Sequence, residues 1–342
     1  MCEIKEKVNK ILEMLRKMSV EEIVQYDIKN QMDGFPTNNG GLKSLCLYKI
    51  VEEEFDCDVS LFTMVCFSIA FDYLPKKIVC QNGMKHKYEF EGKKFNYRGD
   101  TMNSYATTVH EFLRCYNYDD NKIRKFLNVS KNSKYGTQYQ YNGLKSGSNW
   151  EICMLDNYKY FNDIFPEDAN RFFNYTHTIG NMIPYPYMKG ASFNWARGNY
   201  KLFADYWDIT LACIYNYFCE TTDRKFTLEK LLDRKNNATI QLVKKWLDDE
   251  FKSWNNFITQ NYLQDFVGED GMPRALWEGH LPEKDGALSN DYHVLPQSNT
   301  DYQSYFRNAS NRIEARGYSI ATKIKKVLDK KTNEVIIKDL FS

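Results

Sequence analysis

Apolar residues recur at helical spacing from the first turns of the chain. Ile4, Val8, Ile11, Leu12 and Leu15 fall on one face of a helix over 4–17. Ser19 follows, and Glu22 lies at capping-box spacing from it, which predicts a second short helix. MDGFPTNNGG, 32–41, is turn chemistry, with helices expected over 42–54 and 59–72. The period then changes. HKYEFEGKKFNYR, 86–98, alternates polar and aromatic residues around Glu91-Gly92-Lys93 and predicts a β-hairpin. Asp100 or Thr101 is expected to cap a helix striped by Met102, Tyr105, Ala106, Val109, Phe112 and Leu113.

Residues 128–149 are polar and rich in Ser, Asn and Gly, the pattern of a loop or linker. Helices are expected again near 155–173, then over 200–219, 226–233, 238–262 and 303–329. An irregular segment, 267–302, interrupts them, and the closing VIIKDLF reads as a short strand. These elements predict a mainly α, α+β fold with the hairpin near 86–98 and few other strands. They divide into a helical lobe over 1–127, the polar stretch 128–149 and a second lobe over 150–342, or run on as one continuous domain.

Composition narrows the class. A hydrophobic fraction of 43% supports a sizeable core, and a net charge of +1 gives no bulk field to attract nucleic acid. The nine cysteines are odd in number and never spaced CxxC, so neither a zinc ribbon nor a disulfide framework is expected. The first residues are charged and amphipathic rather than a signal peptide. The uncharged run between Asp58 and Asp72 is too short to span a bilayer. A cytoplasmic protein without a membrane partner is the expectation. The Tyr, Phe, Asn and Lys bias suits an AT-rich bacterial or phage genome.

One window concentrates the candidate chemistry: RFFNYTHTIGNMIPYPYMKGASFNWAR, 171–197. Pro184 and Pro186 oppose helix from Thr178 to Tyr187, which leaves a short strand or ordered loop. Gly180 allows a turn or a close backbone approach. His177 and Asn181 are the candidate catalytic residues here, beside Asn194 and Arg197 as phosphate contacts. Each has a plainer reading, His177 as a buried hydrogen-bonded histidine and Asn181 as a turn residue. Arg98, Asp100 and Asn103 form a second cluster. A helix start beside Arg98 would offer free amides to an anion such as phosphate. Asp205 and Asp208 are the candidate ligands for a divalent metal, or carboxylates that favour a helix start. Arg312 and Arg316 lie on the last long helix. His280 and His293 lie in the irregular segment.

Several motifs connect these residues to known families. Arg171 and His177 match an R-x5-H spacing like that of HEPN-type ribonucleases. RGDTMNS (98–104), HTIGN (177–181) and DYWD (205–208) resemble the hallmarks of an uncharacterised bacterial and phage family, over roughly 85–330. HTIGN also resembles the HTLGN element of the HNH-nuclease module of modification-dependent restriction enzymes. Asn194 resembles that module's later asparagine, and RIEARGYSIATK (312–323) its arginine-containing closing helix. The module's catalytic histidine lies upstream in a HIxPQ motif, whereas the nearest match here, His293-Val294-Leu295-Pro296-Gln297, lies downstream.

The nuclease resemblance implies a phosphodiester- or nucleotide-handling protein of a bacterial defence or mobile-element system. In it His177, Asn181 or His293 would serve catalysis, arginines would hold phosphate oxygens and nucleic acid would be the partner. The alternative is a non-catalytic binding or regulatory protein whose polar residues brace a core. An enzyme needs histidine, arginine and carboxylate around one accessible cleft, whereas a brace leaves them buried and mutually bonded.

Overall fold

The computed structural model describes residues 2–28, 60–80, 87–103, 129–131, 139–141, 167–188, 191–192, 207–219, 226–232, 237–277 and 299–341. It is a mainly α, α+β fold, as the hydrophobic pattern predicts. Helix α1 (Cys2–Lys17) buries Val8, Leu12 and Leu15, and α2 (Val20–Gln25) begins at the predicted capping box. The Ser19 side chain accepts from Glu22 N, and the Glu22 carboxylate accepts from Ser19 N at 2.7 Å. Helix α3 (Leu61–Ala70) is buried along nearly its whole length and starts at Ser60, whose hydroxyl accepts from Thr63 N.

Three strands follow: β1 (Ile78–Cys80), β2 (Tyr88–Phe90) and β3 (Asn96–Thr101). The predicted hairpin is β2–β3, with Phe90 opposite Tyr97. β3 runs on through Asp100 and Thr101, so these residues are extended and do not cap a helix. The stretch 128–149, read as a polar loop or linker, contains a two-stranded ladder, β4 (Val129–Lys131) with β5 (Tyr139–Tyr141). Helix α4 (Asp168–Tyr175) leads into a 3₁₀ turn at Ile179–Asn181 and then β6 (Met182–Met188) and β7 (Ala191–Ser192).

All neighbours in the five-stranded sheet β1-β2-β3-β6-β7 run antiparallel. The β3–β6 register, from Asn96 opposite Tyr187 to Thr101 opposite Met182, fastens the two halves of the sequence together. Pro184 and Pro186 sit inside β6 with the same parity, so both missing donors fall on one edge. β7 pairs only with Tyr187 and Met188, so among the described residues the edge opposite β3 has no ladder to lose at either proline.

The rest is helical: α5 (Trp207–Cys219), α6 (Leu228–Leu231), α7 (Asn237–Trp246), α8 (Trp254–Gln260), α9 (Asn299–Leu328) and α10 (Asn333–Phe341). The pattern over 238–262 reads as one helix, but the chain breaks it. A π turn over Leu247–Phe251 ends at Lys252, whose φ is 63°, and Ser253 caps α8. The break lets Phe251 meet both Trp246 and Phe257, with ring centroids 5.1 and 5.0 Å away, positions a straight helix would spread around its axis. VIIKDLF is helix, not strand. Ile336 and Leu340, four residues apart, bury together in α10, which packs on α1.

Helix α9 is the axis of the packing. It lies against α4, α2, α3 and the 3₁₀ turn. The C-terminal ends of α1 and α9 cap each other. Arg16 donates to the carbonyls of Leu328 and Lys331 and to Asn333 Oδ1, while Lys325 Nζ donates to the carbonyls of Arg16 and Met18 at 2.8 and 2.9 Å. Cations there satisfy orphan carbonyls and suit the helix dipoles. No helix among the described residues is long and apolar enough to cross a membrane.

Candidate functional site

The HTIGN window starts where α4 runs out of helix. Thr176 and Thr178 turn their hydroxyls back onto the carbonyls of Phe172 and Tyr175 at 3.0 and 2.9 Å. Such side-chain-to-backbone bonds compete with helix and help end it. His177 is buried, 6% exposed, and its carbonyl accepts from Ile28 N at 3.1 Å. Asn181 is completely buried and its amide joins two strands' ends. Oδ1 accepts from Asn103 N at 3.1 Å, and Nδ2 donates to the carbonyls of Asn103 and Thr176, both at 2.8 Å. Met102 N donates to the Asn181 carbonyl. Asn103, equally buried, passes the network on, its Oδ1 accepting from Trp207 N at the start of α5.

Asp208, the second residue of α5, is fully buried and binds backbone amides. Its oxygens accept from Ile209 N at 3.0 Å and Leu276 N at 2.8 Å. Arg312 holds the same irregular segment from the other side, donating to the carbonyls of Arg274 and Ala275, both at 2.7 Å. Asn308 completes the clamp on the Leu276 carbonyl. Burial pushes the Arg312 guanidinium down from its ordinary range, and the Asp208 carboxylate works in the opposite direction.

Arg316 lies one turn further along α9 and is fully buried. Nη1 donates to the carbonyls of Gly180 and Met182, both at 2.7 Å, and Nε donates to the Asn261 carbonyl at 2.9 Å. Its guanidinium lies 5.8 Å from the Phe71 ring centroid. Burial pushes its pKa down to about 10, against the pull of the Tyr73, Tyr185 and Tyr262 phenols. Asn261 connects Arg316 to these phenols, because Tyr73 donates to its Oδ1 at 2.9 Å. The sequence carries no signal for Asn261, which the one-helix reading of 238–262 places in its last turn and the structure makes the C-cap of α8.

Arg98 stands apart. Its guanidinium pairs with Glu89 across β2–β3 at 3.1 Å and covers the Tyr187 ring at 3.0 Å. Asp100 Oδ1 accepts from Thr101 N. The two residues do approach the window, Arg98 opposite Tyr185 and Asp100 opposite Ile183, but from a strand and not from an anion-binding helix start. Arg171, the arginine of the R-x5-H spacing, is outside the network. It pairs with Glu314 at 2.5 Å, and Tyr175 donates to the other oxygen of that carboxylate.

The structure therefore gathers Asn103, His177, Asn181, Asp208, Arg312 and Arg316 around the seam of β6, α5 and α9. Asn194, Arg197, Asp205, His280 and His293, with the turn at 32–41 and the helix at 42–54, lie outside the described residues. Among the described residues no three His, Cys, Asp or Glu side chains gather as a metal site.

Fold and seam together define a mainly α, α+β protein whose motif residues meet in a polar core. The chain belongs to a family of unknown function (DUF6994), whose model matches residues 144–320, just over half of the sequence. That span contains HTIGN, DYWD and RIEARG and begins after RGDTMNS. No curated protein and no solved structure matches the chain.

Proposed function

We propose that this is a non-catalytic binding or regulatory protein in which the HTIGN, DYWD and RIEARG residues brace the core. The observation that carries this reading is the amide of Asn181, fully buried with its oxygen and nitrogen bonded to the Asn103 and Thr176 backbone. A group that handles substrate needs bonding capacity left over and a route to solvent. His177 at 6% exposure and Asp208 at 0%, with both carboxylate oxygens on backbone amides, support the same reading. Buried polar groups that satisfy one another specify one core arrangement and are costly to disturb.

The competing reading makes His177 the general base of a phosphodiester hydrolase acting on nucleic acid. His177→Ala separates them. A general base contributes about 10²–10⁴-fold to rate, whereas a buried brace costs stability when its partners are left unpaired, about 1–3 kcal/mol. The expected result is a lowered thermal midpoint in the variant and no wild-type cleavage of single- or double-stranded DNA or RNA with Mg²⁺ or Mn²⁺. Cleavage by the wild type that disappears in a variant of unchanged midpoint would overturn the proposal.

A further inference from the structure

The joint between α7 and α8 is built from uncommon backbone. Leu247–Phe251 form a π turn, a rare geometry that occurs mostly as single turns inside or beside α-helices. Lys252 N closes it onto the Leu247 carbonyl at 3.0 Å. Lys252 itself sits in the left-handed region, at φ 63°, which a residue with a side chain adopts where its surroundings impose it. Three consecutive acids lie on this turn, and each faces a different element. Asp248 accepts from the Tyr217 hydroxyl of α5 at 2.9 Å, and Asp249 pairs with Lys94 of the β2–β3 turn at 3.4 Å. Glu250 faces the Tyr97 phenol of β3.

Glu250 differs from its neighbours in what it meets. Asp248 is exposed, whereas Glu250 is partly buried against a phenol whose oxygen is itself buried and lacks a well-formed hydrogen bond. Four titratable groups face it: Tyr97 from β3, Tyr73 from the segment before β1, Lys94 from the β2–β3 turn, and Asp249 from its own turn. Lys94 is already paired with Asp249, so its charge is shared. Such surroundings disfavour the ionised acid. Burial accordingly raises the Glu250 carboxyl above its ordinary range. The Tyr97 phenol and then Lys94 oppose the rise, and Asp249 adds to it.

We propose that Glu250 makes the α7–α8 joint a proton-operated hinge: the neutral acid seats against Tyr97 and closes the π turn, and the ionised carboxylate moves toward Lys94 and water and loosens it. The consequence reaches the polar seam. Helix α8 is seven residues long, and its C-cap is Asn261. The Asn261 carbonyl accepts from Arg316, and its Oδ1 accepts from Tyr73. A shift of α8 moves both bonds, so acidification tightens the hold on Arg316 and through it on the HTIGN turn. The inference goes beyond the bracing role of the seam and is independent of what His177 does.

The test compares Glu250→Gln with the wild type from pH 4 to pH 8, by urea unfolding and by hydrogen exchange of the amides over 247–261. Glutamine keeps the shape and stays neutral, so it holds the closed form at every pH. A carboxyl with a raised folded pKa stabilises the fold below its unfolded pKa and loses that contribution as pH rises through the folded value. The variant is therefore expected to unfold at higher urea than the wild type at pH 7–8, and the two midpoints should converge near pH 4. Exchange over 247–261 should be faster in the wild type than in the variant at pH 7, with the difference closing on acidification. A midpoint difference that is constant with pH, or a variant less stable at pH 7, overturns the proposal. So does a pH-dependent difference in midpoint without a change in exchange, since Glu250 would then titrate without moving the joint. If the variant does not fold, the wild type decides alone: protection over 247–261 that fails to rise relative to α9 on acidification rejects the hinge.

Discussion

Gly180 lies so close to Gly317 of α9 that the 3₁₀ turn has no room for a side chain at this position. A Cβ on Gly180 would lie 3.1 Å from the Gly317 Cα and 2.2 Å from the Ile313 carbonyl oxygen. The glycine of HTIGN and the glycine of RIEARG are thus two halves of one contact between the 3₁₀ turn and α9. It lets the Arg316 guanidinium reach the carbonyls of Gly180 and Met182.

Gly180→Ala is expected to destabilise the protein by about 1–3 kcal/mol or more, the cost of overpacking against atoms that cannot swing away. Gly268→Ala is the contrast. The atoms nearest its Cβ would be the guanidinium of Arg274, the movable end of a half-exposed side chain. Urea unfolding of both variants checks this, and equal midpoints would contradict the rigid crossing.

Asn181→Asp tests the bonding of the amide. Aspartate keeps the acceptor for Asn103 N but turns an oxygen toward the carbonyls of Asn103 and Thr176 in place of the donor. We expect it to cost more than Asn181→Ala, itself expected at about 1–3 kcal/mol for unpaired buried groups. Chemical denaturation of the pair reads the order directly. An aspartate variant as stable as wild type would mean the amide is not bonded this way.

Surface pairs on α9 should matter far less. Arg171 and Glu314 are 2.5 Å apart but roughly a third exposed, with side-chain accessibilities of 37% and 26%. Arg171→Ala is expected to cost about 1 kcal/mol or less, the range of exposed ion pairs. A much larger loss, seen in thermal or urea unfolding, would show that the R-x5-H arginine does more than lace α4 to α9.

Alkaline pH should weaken the fold. Tyr262 is pushed up to about 12, chiefly by burial and then by Asp72, and Tyr175 is pushed up to about 12 by burial and its bond to Glu314. Unfolded phenols lose their protons near 10. Between pH 10 and 12 the folded chain therefore holds more protons than the unfolded one, and stability falls as pH rises. Unfolding midpoints at pH 9, 10 and 11 should decline, and Tyr262→Phe should decline less steeply. An identical slope in the variant would remove Tyr262 from the account.

The sequence by itself determined the elements whose signal is local. The stripe of Val8, Leu12 and Leu15, the Ser19–Glu22 box, the period-two hairpin around Gly92 and the long helix carrying Arg312 and Arg316 follow from spacing within a few residues. It also marked Asn181, Asp208 and Arg316 as worth explaining, since polar residues among so many aromatics need partners. Only the tertiary structure decided who those partners are. Asn181 bonds to Asn103, 78 positions away, and Asp208 to Leu276, 68 positions away. No local pattern encodes such a pairing, because it depends on β3 and β6 meeting in one register. The errors have the same origin. VIIKDLF is short enough to suit strand or helix, and packing on α1, with Ile336 and Leu340 one turn apart, chose helix. Asp100 reads as a helix cap until β6 supplies the strand that extends β3 past it. The pattern over 238–262 cannot show that Phe251 gains more from meeting Trp246 and Phe257 than the chain loses by leaving Lys252 in a left-handed turn.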